Sequence, residues 1–206
     1  MTKEGIIFPL PFFVAAIIMF YLFQLGMNMT FLYISAGVFY IGLLLMLFFR
    51  DPDRKVPPGK DLIISPADGR VIRIENEGAN PAISIFLGIH NVHVNRAPVT
   101  GVIKSVVHHP GKFHAAFRDE AMTENERNEI EIETEYGAVW MRQVAGALAR
   151  RTIFYEEPGD RVQAGQRVGL IRFGSRVDLV FPSGVNLRVT LKQKVRAGES
   201  ILGQLR

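Results

Sequence analysis

The chain has 206 residues, with 24 Lys and Arg against 20 Asp and Glu, a formal charge of +4 and a pI near 9.5. It has no cysteine, which excludes thiol catalysis, disulfides and thiolate metal sites. The basic excess suits an anionic membrane surface or a nucleic acid, but no dense run of Lys and Arg with interleaved aromatics occurs, so nucleic-acid binding is not expected.

Gly5 to Phe49 carries no charged residue. That length accommodates two bilayer crossings of about 20 residues each. The first apolar run is Ile6 to Leu25, with Pro9 and Pro11 in its first turns, and the second is Phe31 to Phe49. Gly26-Met27-Asn28-Met29-Thr30 reads as the turn between them. Residues 1–49 are therefore expected to form a hydrophobic α-helical hairpin. A cleaved signal peptide followed by a core helix fits poorly, because the run is too long and no short apolar core precedes a small-residue cleavage site. The prolines leave open a hairpin that dips into the bilayer without crossing it. Lys3 precedes the first run, Arg50, Arg54, Lys55 and Lys60 follow the second, and the turn has no charge. The positive-inside rule then puts both ends, and everything after them, on the cytoplasmic face.

Residues 50–60 read as a polar, Pro-rich linker, with Pro52, Pro57 and Pro58 disfavouring helix. From Asp61 the chain changes to short strands with turns. Leu62-Ile63-Ile64 and Val71 to Ile74 flank Ser65-Pro66-Ala67-Asp68-Gly69-Arg70, and Ile83 to Leu87 and Val102 to Val107 are further strand candidates. Glu129 to Thr134 alternates strictly, the mark of a half-buried strand. Tyr136-Gly137 turns it into Ala138 to Val144. Phe113 to Arg127 is the one stretch outside the hairpin that reads as helix, with poor periodicity. Val162 to Val168 echoes Val195 to Ile201 in its Val, Ala-Gly and β-branched spacing, which suggests two stacked hairpin-like units. The expected fold for residues 61–206 is mainly β, a barrel- or sandwich-like domain of short strands.

Gly174-Ser175 lies between two apolar runs, Val168 to Phe173 and Val177 to Phe181. Most Gly-Ser pairs are simple turns. Here a base near Ser175 would let its hydroxyl attack the chain's own Gly174 carbonyl. His90 and His93 lie three apart in Leu87 to Pro98, and His108, His109 and His114 follow. Such a pair suits a polar surface turn, metal ligation or acid–base work near neutral pH. Asp68 precedes Gly69 in a turn pair. A carboxylate, an imidazole and a hydroxyl are the parts of a relay recognised by roles and not by chain order.

With those residues in view, the chain resembles the short, membrane-anchored, pyruvoyl-dependent phosphatidylserine decarboxylases. The matching segments are Phe49-Arg50-Asp51-Pro52-Asp53-Arg54, Ser65-Pro66-Ala67-Asp68-Gly69, His90-Asn91-Val92-His93, Asn125-Glu126-Arg127-Asn128, Ala145-Gly146 with Ala149-Arg150-Arg151, and Phe173-Gly174-Ser175. They occur in family order, and Phe173 and Arg176 around the Gly-Ser pair fit the short class. In larger members Pro closely follows the second histidine, whereas here Pro98 comes later.

The resemblance implies self-cleavage between residues 174 and 175. Asp68 would orient His93, and His93 would take the Ser175 proton. Ser175 would attack Gly174 and become a covalent pyruvoyl group capping residues 175–206, which stay with residues 1–174. That ketone would take the amine of phosphatidylserine as a Schiff base and accept the electrons left by carbon dioxide, giving phosphatidylethanolamine. His90 would supply the proton or hold the substrate carboxylate. The partners implied are phosphatidylserine and membrane lipid, and Phe113, Phe117 and Met122 are candidates for an apolar edge beside the headgroups. No metal is implied, and oligomer state stays open, a homo-oligomer included. Two other readings compete. One is a membrane-anchored zinc metallopeptidase using His90 and His93, which lacks a recognised ligand spacing. The other is a biotinyl- or lipoyl-like carrier, disfavoured because Lys192 and Lys194 fall inside an expected strand.

Overall fold

The computed structural model describes residues 4–114, 120–146, 152–171 and 175–206. The chain divides into two units, Met1–Pro52 and Asp53–Arg206.

The first unit is a helical hairpin. A short α1 (Glu4–Ile7) leads into α2 (Leu10–Gln24), and α3 (Thr30–Phe48) returns. Pro9 and Pro11 fall at the start of α2, where a missing N–H costs nothing. Asn28 Oδ1 accepts from the Thr30 N–H (3.1 Å) and starts α3. The helices meet through small and aromatic residues. Ser35 Oγ donates to the Ala16 carbonyl (2.7 Å), and the Phe13 and Phe39 rings lie 5.4 Å apart. Elsewhere the surface is apolar all round, with Ile17, Tyr21, Leu25 and Tyr33 exposed. Gly5–Gln24 and Thr30–Phe48, of 20 and 19 residues with mean hydropathy 2.5 and 2.2, are long and apolar enough to cross a membrane. At 1.5 Å per residue each reaches about 30 Å, the thickness of a hydrocarbon core.

The second unit is built almost wholly of strands. They are β1 (Leu62–Ile64), β2 (Gly69–Glu77), β3 (Asn80–Leu87), β4 (Val94–Arg96), β5 (Gly101–His109), β6 (Arg127–Thr134) and β7 (Gly137–Val144). Then come β8 (Thr152–Phe154), β9 (Arg161–Val162), β10 (Arg167–Ile171), β11 (Ser175–Val180), β12 (Asn186–Leu187), β13 (Lys194–Val195) and β14 (Ile201–Gln204). A curled eight-stranded sheet has the order β13-β2-β3-β11-β7-β6-β5-β9. Two three-stranded sheets, β1-β14-β12 and β4-β10-β8, accompany it. Every strand pairing among the described residues is antiparallel. This is the mainly β, barrel- or sandwich-like domain with an N-terminal hairpin that the strand pattern predicts.

Alternation places the core. Ile83, Ile85 and Leu87 of β3, Val139 and Met141 of β7, and Val177 and Leu179 of β11 share one buried cluster. The central strand β11 is buried at all six positions, because it has neighbours on both edges and cover on both faces. On its outer side Arg176 (1% exposed) and Asp178 (4%) pair, with Nε 2.9 Å from Oδ1.

Two expectations need correction. The helix over Phe113 to Arg127 is not formed at its ends. Among the described residues only α4 (Ala121–Glu124) is helical, Lys112 bridges Asn125, and Arg127 already belongs to β6. Lys192 lies in a turn at φ 68°, its N–H donating to the Val71 carbonyl, and not inside a strand. Only Lys194 is in one.

Candidate active site

Strand register brings the singled-out segments to one end of the large sheet. Ser175 opens β11 opposite Leu87, the last residue of β3. Arg70 pairs with Phe86, so Asp68 and Gly69 stand at the same end. A Cβ on Gly69 would fall 2.2 Å from the Phe86 carbonyl oxygen, so only glycine lets β2 start so close to β3. On the other flank Arg176 pairs with Val144, and Val144 with Arg127, which places Ala145-Gly146 and Asn125 to Asn128 there too. Asn125 fastens this corner, with Nδ2 donating to the carbonyls of Ala145 (2.7 Å) and His114 (2.8 Å).

The loop carrying the two histidines brackets Ser175. It leaves β3 after Leu87, the partner of Ser175, and enters β4 at Val94. The His93 carbonyl accepts from the Ile171 N–H at 3.1 Å, and Ile171 ends the strand that precedes Ser175. The segment before the serine and the first residue of the strand after it are therefore both tied to Leu87–His93. Gly174 itself lies outside the described residues, as do Phe173, Phe117, Ala149, Arg150 and Arg151.

The two histidines differ in setting. His90 is exposed in a turn. His93 is buried, 2% exposed, and its Nδ1 lies 2.8 Å from the Asn91 carbonyl. A carbonyl only accepts, so Nδ1 carries the proton and the lone pair of the neutral ring is on Nε2. Ser175 Oγ is fully buried without a hydrogen-bond partner among the described residues. A buried unpartnered hydroxyl is costly, and this one stands at the start of a strand.

Asp68 is buried and doubly held. Oδ2 accepts from Arg54 Nη2 at 2.9 Å, and Oδ1 from the Ala197 N–H at 2.7 Å. The ring of His93 meets the Asn91 carbonyl, and Asp68 ties the start of β2 to the linker residue Arg54 and to the C-terminal segment. The neighbouring Arg176–Asp178 pair sets the electrostatics behind the serine. Burial pushes the Asp178 carboxyl above its ordinary range, and the opposing pull of Arg176, Ser84 and Arg142 does not cancel it.

Sequence reasoning passed over Gln143, Asn95 and Thr152. Gln143 is fully buried and donates from Nε2 to Asn95 Oδ1 (2.9 Å) and to the Ile153 carbonyl (3.2 Å). Its signal was present, since it continues the buried Val139 and Met141 positions of β7 as the one polar residue. Glycine is required across from it: a Cβ on Gly169 would fall 2.2 Å from the Ile153 oxygen and 2.9 Å from Gln143 Nε2.

Among the described residues no group of three His, Asp or Glu side chains is arranged to hold a metal ion.

The fold is an antiparallel β unit in which Ser175 opens a buried strand beside the loop that carries His90 and His93. A family model described as phosphatidylserine decarboxylase matches residues 41–203. The chain is 45% identical over 165 residues to a phosphatidylserine decarboxylase proenzyme of Chlorobaculum tepidum, covering 77% of this chain and 76% of that protein. It is 45% identical over 185 residues to one of Desulfotalea psychrophila, covering 86% and 84%. The chain belongs to the phosphatidylserine decarboxylase family, and it is a decarboxylase.

Proposed function

We propose that the chain converts phosphatidylserine to phosphatidylethanolamine, using a pyruvoyl group made from Ser175 by serinolysis of the Gly174–Ser175 bond. The observation that carries this is the bracketing of Ser175 by the Leu87–His93 loop, together with its buried, unpartnered Oγ. The word proenzyme in the names of the relatives agrees with it.

His93 is the base, because its neutral tautomer presents Nε2 as the acceptor. Ser175 Oγ loses its proton to that nitrogen and attacks the Gly174 carbonyl carbon. The C–N bond breaks, the nitrogen takes the proton back, and an ester joins Gly174 to Ser175 Oγ. Elimination from the ester and hydrolysis with loss of ammonia leave the pyruvoyl group on residue 175. Asp68 supports the ring of His93 in this reading, since each carboxylate oxygen can accept a further hydrogen bond beyond those from Arg54 and Ala197.

The residues fit such a group. Residue 175 is fixed by pairing on β11, and the surrounding side chains exclude water. When present, its ketone binds the substrate amine and takes up the electron pair that carbon dioxide leaves behind. His90, at the exposed rim, serves as the proton donor to the product carbon or holds the substrate carboxylate. The piece 175–206 contributes β11 to β14 and pairs with β1, β2, β3 and β7, so both pieces stay together after the cut.

The hairpin anchors the enzyme in the membrane with its catalytic unit on the cytoplasmic side. A diacyl lipid leaves a bilayer at a cost of about 0.8 kcal/mol per exposed CH₂, so the headgroup is processed at the interface. The test is release of carbon dioxide from carboxyl-labelled phosphatidylserine in vesicles. Purified wild type is expected to release it and Ser175→Ala to release none. Equal release by both would overturn the reading.

A further inference from the structure

Four side chains form a directed chain of hydrogen bonds that runs through Gln143, the strand partner of Val177. The Ile153 carbonyl can only accept, so Gln143 Nε2 is the donor and Oε1 the acceptor. Asn128 must then offer Nδ2 to Gln143 Oε1 (3.1 Å) and turn Oδ1 to His108 Nδ1 (2.9 Å). Asn95 must offer Oδ1 to Gln143 Nε2 (2.9 Å). Every dipole in the series points the same way, and such chains polarise one another. The series ends at Asn95 Nδ2, a buried donor with no partner among the described residues. Asn95 is fully buried.

Its position is defined by register. Asn95 is the middle residue of β4, two residues after His93. Gln143, which holds it, pairs with Val177, the next residue on the core face of β11 after Ser175. A second buried and unpartnered group, Thr152 Oγ1, precedes the Ile153 carbonyl that Gln143 also holds. Two neutral donors thus stand unfilled, one held by the partner of Val177 and the other on the partner of Ile171, on either side of residue 175 in sequence. Neither is used by the self-cleavage described above.

We propose that Asn95 Nδ2, supported by the His108–Asn128–Gln143 series, is the donor that takes the carboxylate of the serine headgroup. The inference rests on the decarboxylase reading with a ketone at residue 175. The substrate carboxylate is one carbon removed from the amine that meets that ketone, whereas the phosphate is farther along the headgroup. A neutral donor also recognises the carboxylate without adding a cation that would resist its departure as carbon dioxide. A site built to hydrogen-bond one group rejects analogues that lack it, because its donor is left unpaired.

The test is reductive capture of short-chain lipids on the full-length matured protein with cyanoborohydride, read as the mass of the small piece. Wild type is expected to capture phosphatidylserine, with or without its carboxyl, in preference to phosphatidylethanolamine. Asn95→Asp keeps the oxygen that Gln143 needs and replaces the donor by a negative oxygen. It is expected to mature normally and capture phosphatidylethanolamine as wild type does, while capturing phosphatidylserine at least tenfold less. Equal capture of phosphatidylserine by Asn95→Asp and wild type, or loss of maturation in the variant, would overturn the proposal. The wild type alone gives a check free of folding effects: the methyl ester of the serine headgroup should be captured at least tenfold less than phosphatidylserine, and equal capture counts against Asn95. If wild type captures no lipid at all, the ketone reading itself fails, which separates the two failures.

Discussion

Removing one partner of the Arg176–Asp178 pair is expected to destabilise the catalytic unit far more than removing both. The pair is on the outer side of β11, one residue past Ser175, with 1% and 4% exposure and contacts of 2.9 to 3.2 Å. Asp178→Leu leaves a guanidinium buried without its carboxylate, which costs about 3–5 kcal/mol. For a unit of this size each kcal/mol lowers the melting temperature by about 2–4 °C, so a fall of about 6–20 °C is expected. Arg176→Met combined with Asp178→Leu replaces the pair by apolar groups of similar volume and is expected to recover most of that loss. The assay is thermal unfolding of the full chain in detergent, with the Ser175→Ala background keeping every sample in one piece. An Asp178→Leu variant melting within a few degrees of the reference, or a double variant melting below either single one, would refute the reasoning.

Three further outcomes follow from the geometry. His93→Ala is expected to slow self-cleavage at least about a hundredfold, because it removes the base; time-resolved gel analysis of newly made chain checks it, and wild-type cleavage would remove His93 from its role. Gly69→Ala places a methyl 2.2 Å from the Phe86 oxygen, so it is expected to shift the start of β2 and lower the melting temperature, whereas Gly37→Ala on α3, with open space around it, should leave the sheet unperturbed. Burial holds the Asp178 carboxyl above its ordinary range, so the folded chain binds that proton more tightly than the unfolded chain. Its contribution to stability is therefore full below about pH 4 and is lost as the pH rises toward the folded value. Asp178→Asn should accordingly lose less stability than wild type over that rise, and parallel pH profiles of melting temperature would contradict the shift.

Much of this was legible in the residues. The hairpin follows from an uncharged run that no soluble helix needs, and β6 and β7 follow from alternation across Tyr136-Gly137. The helix expected over residues 113–127 failed because Asn125 uses its side chain to bind His114 and Ala145, which competes with helical pairing, and Arg127 finds a strand partner in Val144. Lys192 was placed in a strand because its apolar and polar neighbours alternate, while the turn is set by tertiary bonds to β2 that no local pattern carries. At the site, Ser175, His93 and Asp68 were nameable from spacing and resemblance. That Asp68 meets Arg54 and Ala197, and that Asn91 fixes the His93 tautomer, depends on contacts between segments far apart in the chain. Gln143 and Asn95 read as ordinary polar residues until register sets them face to face.

The account stands on Ser175 breaking the bond before it, and the intact mass of purified full-length protein tests that most directly. Two pieces are expected, residues 1–174 and 175–206, the smaller one lighter by one ammonia than the plain peptide and blocked to N-terminal sequencing. A single unbroken chain that still decarboxylates, or a small piece that begins with an unmodified serine, would contradict it.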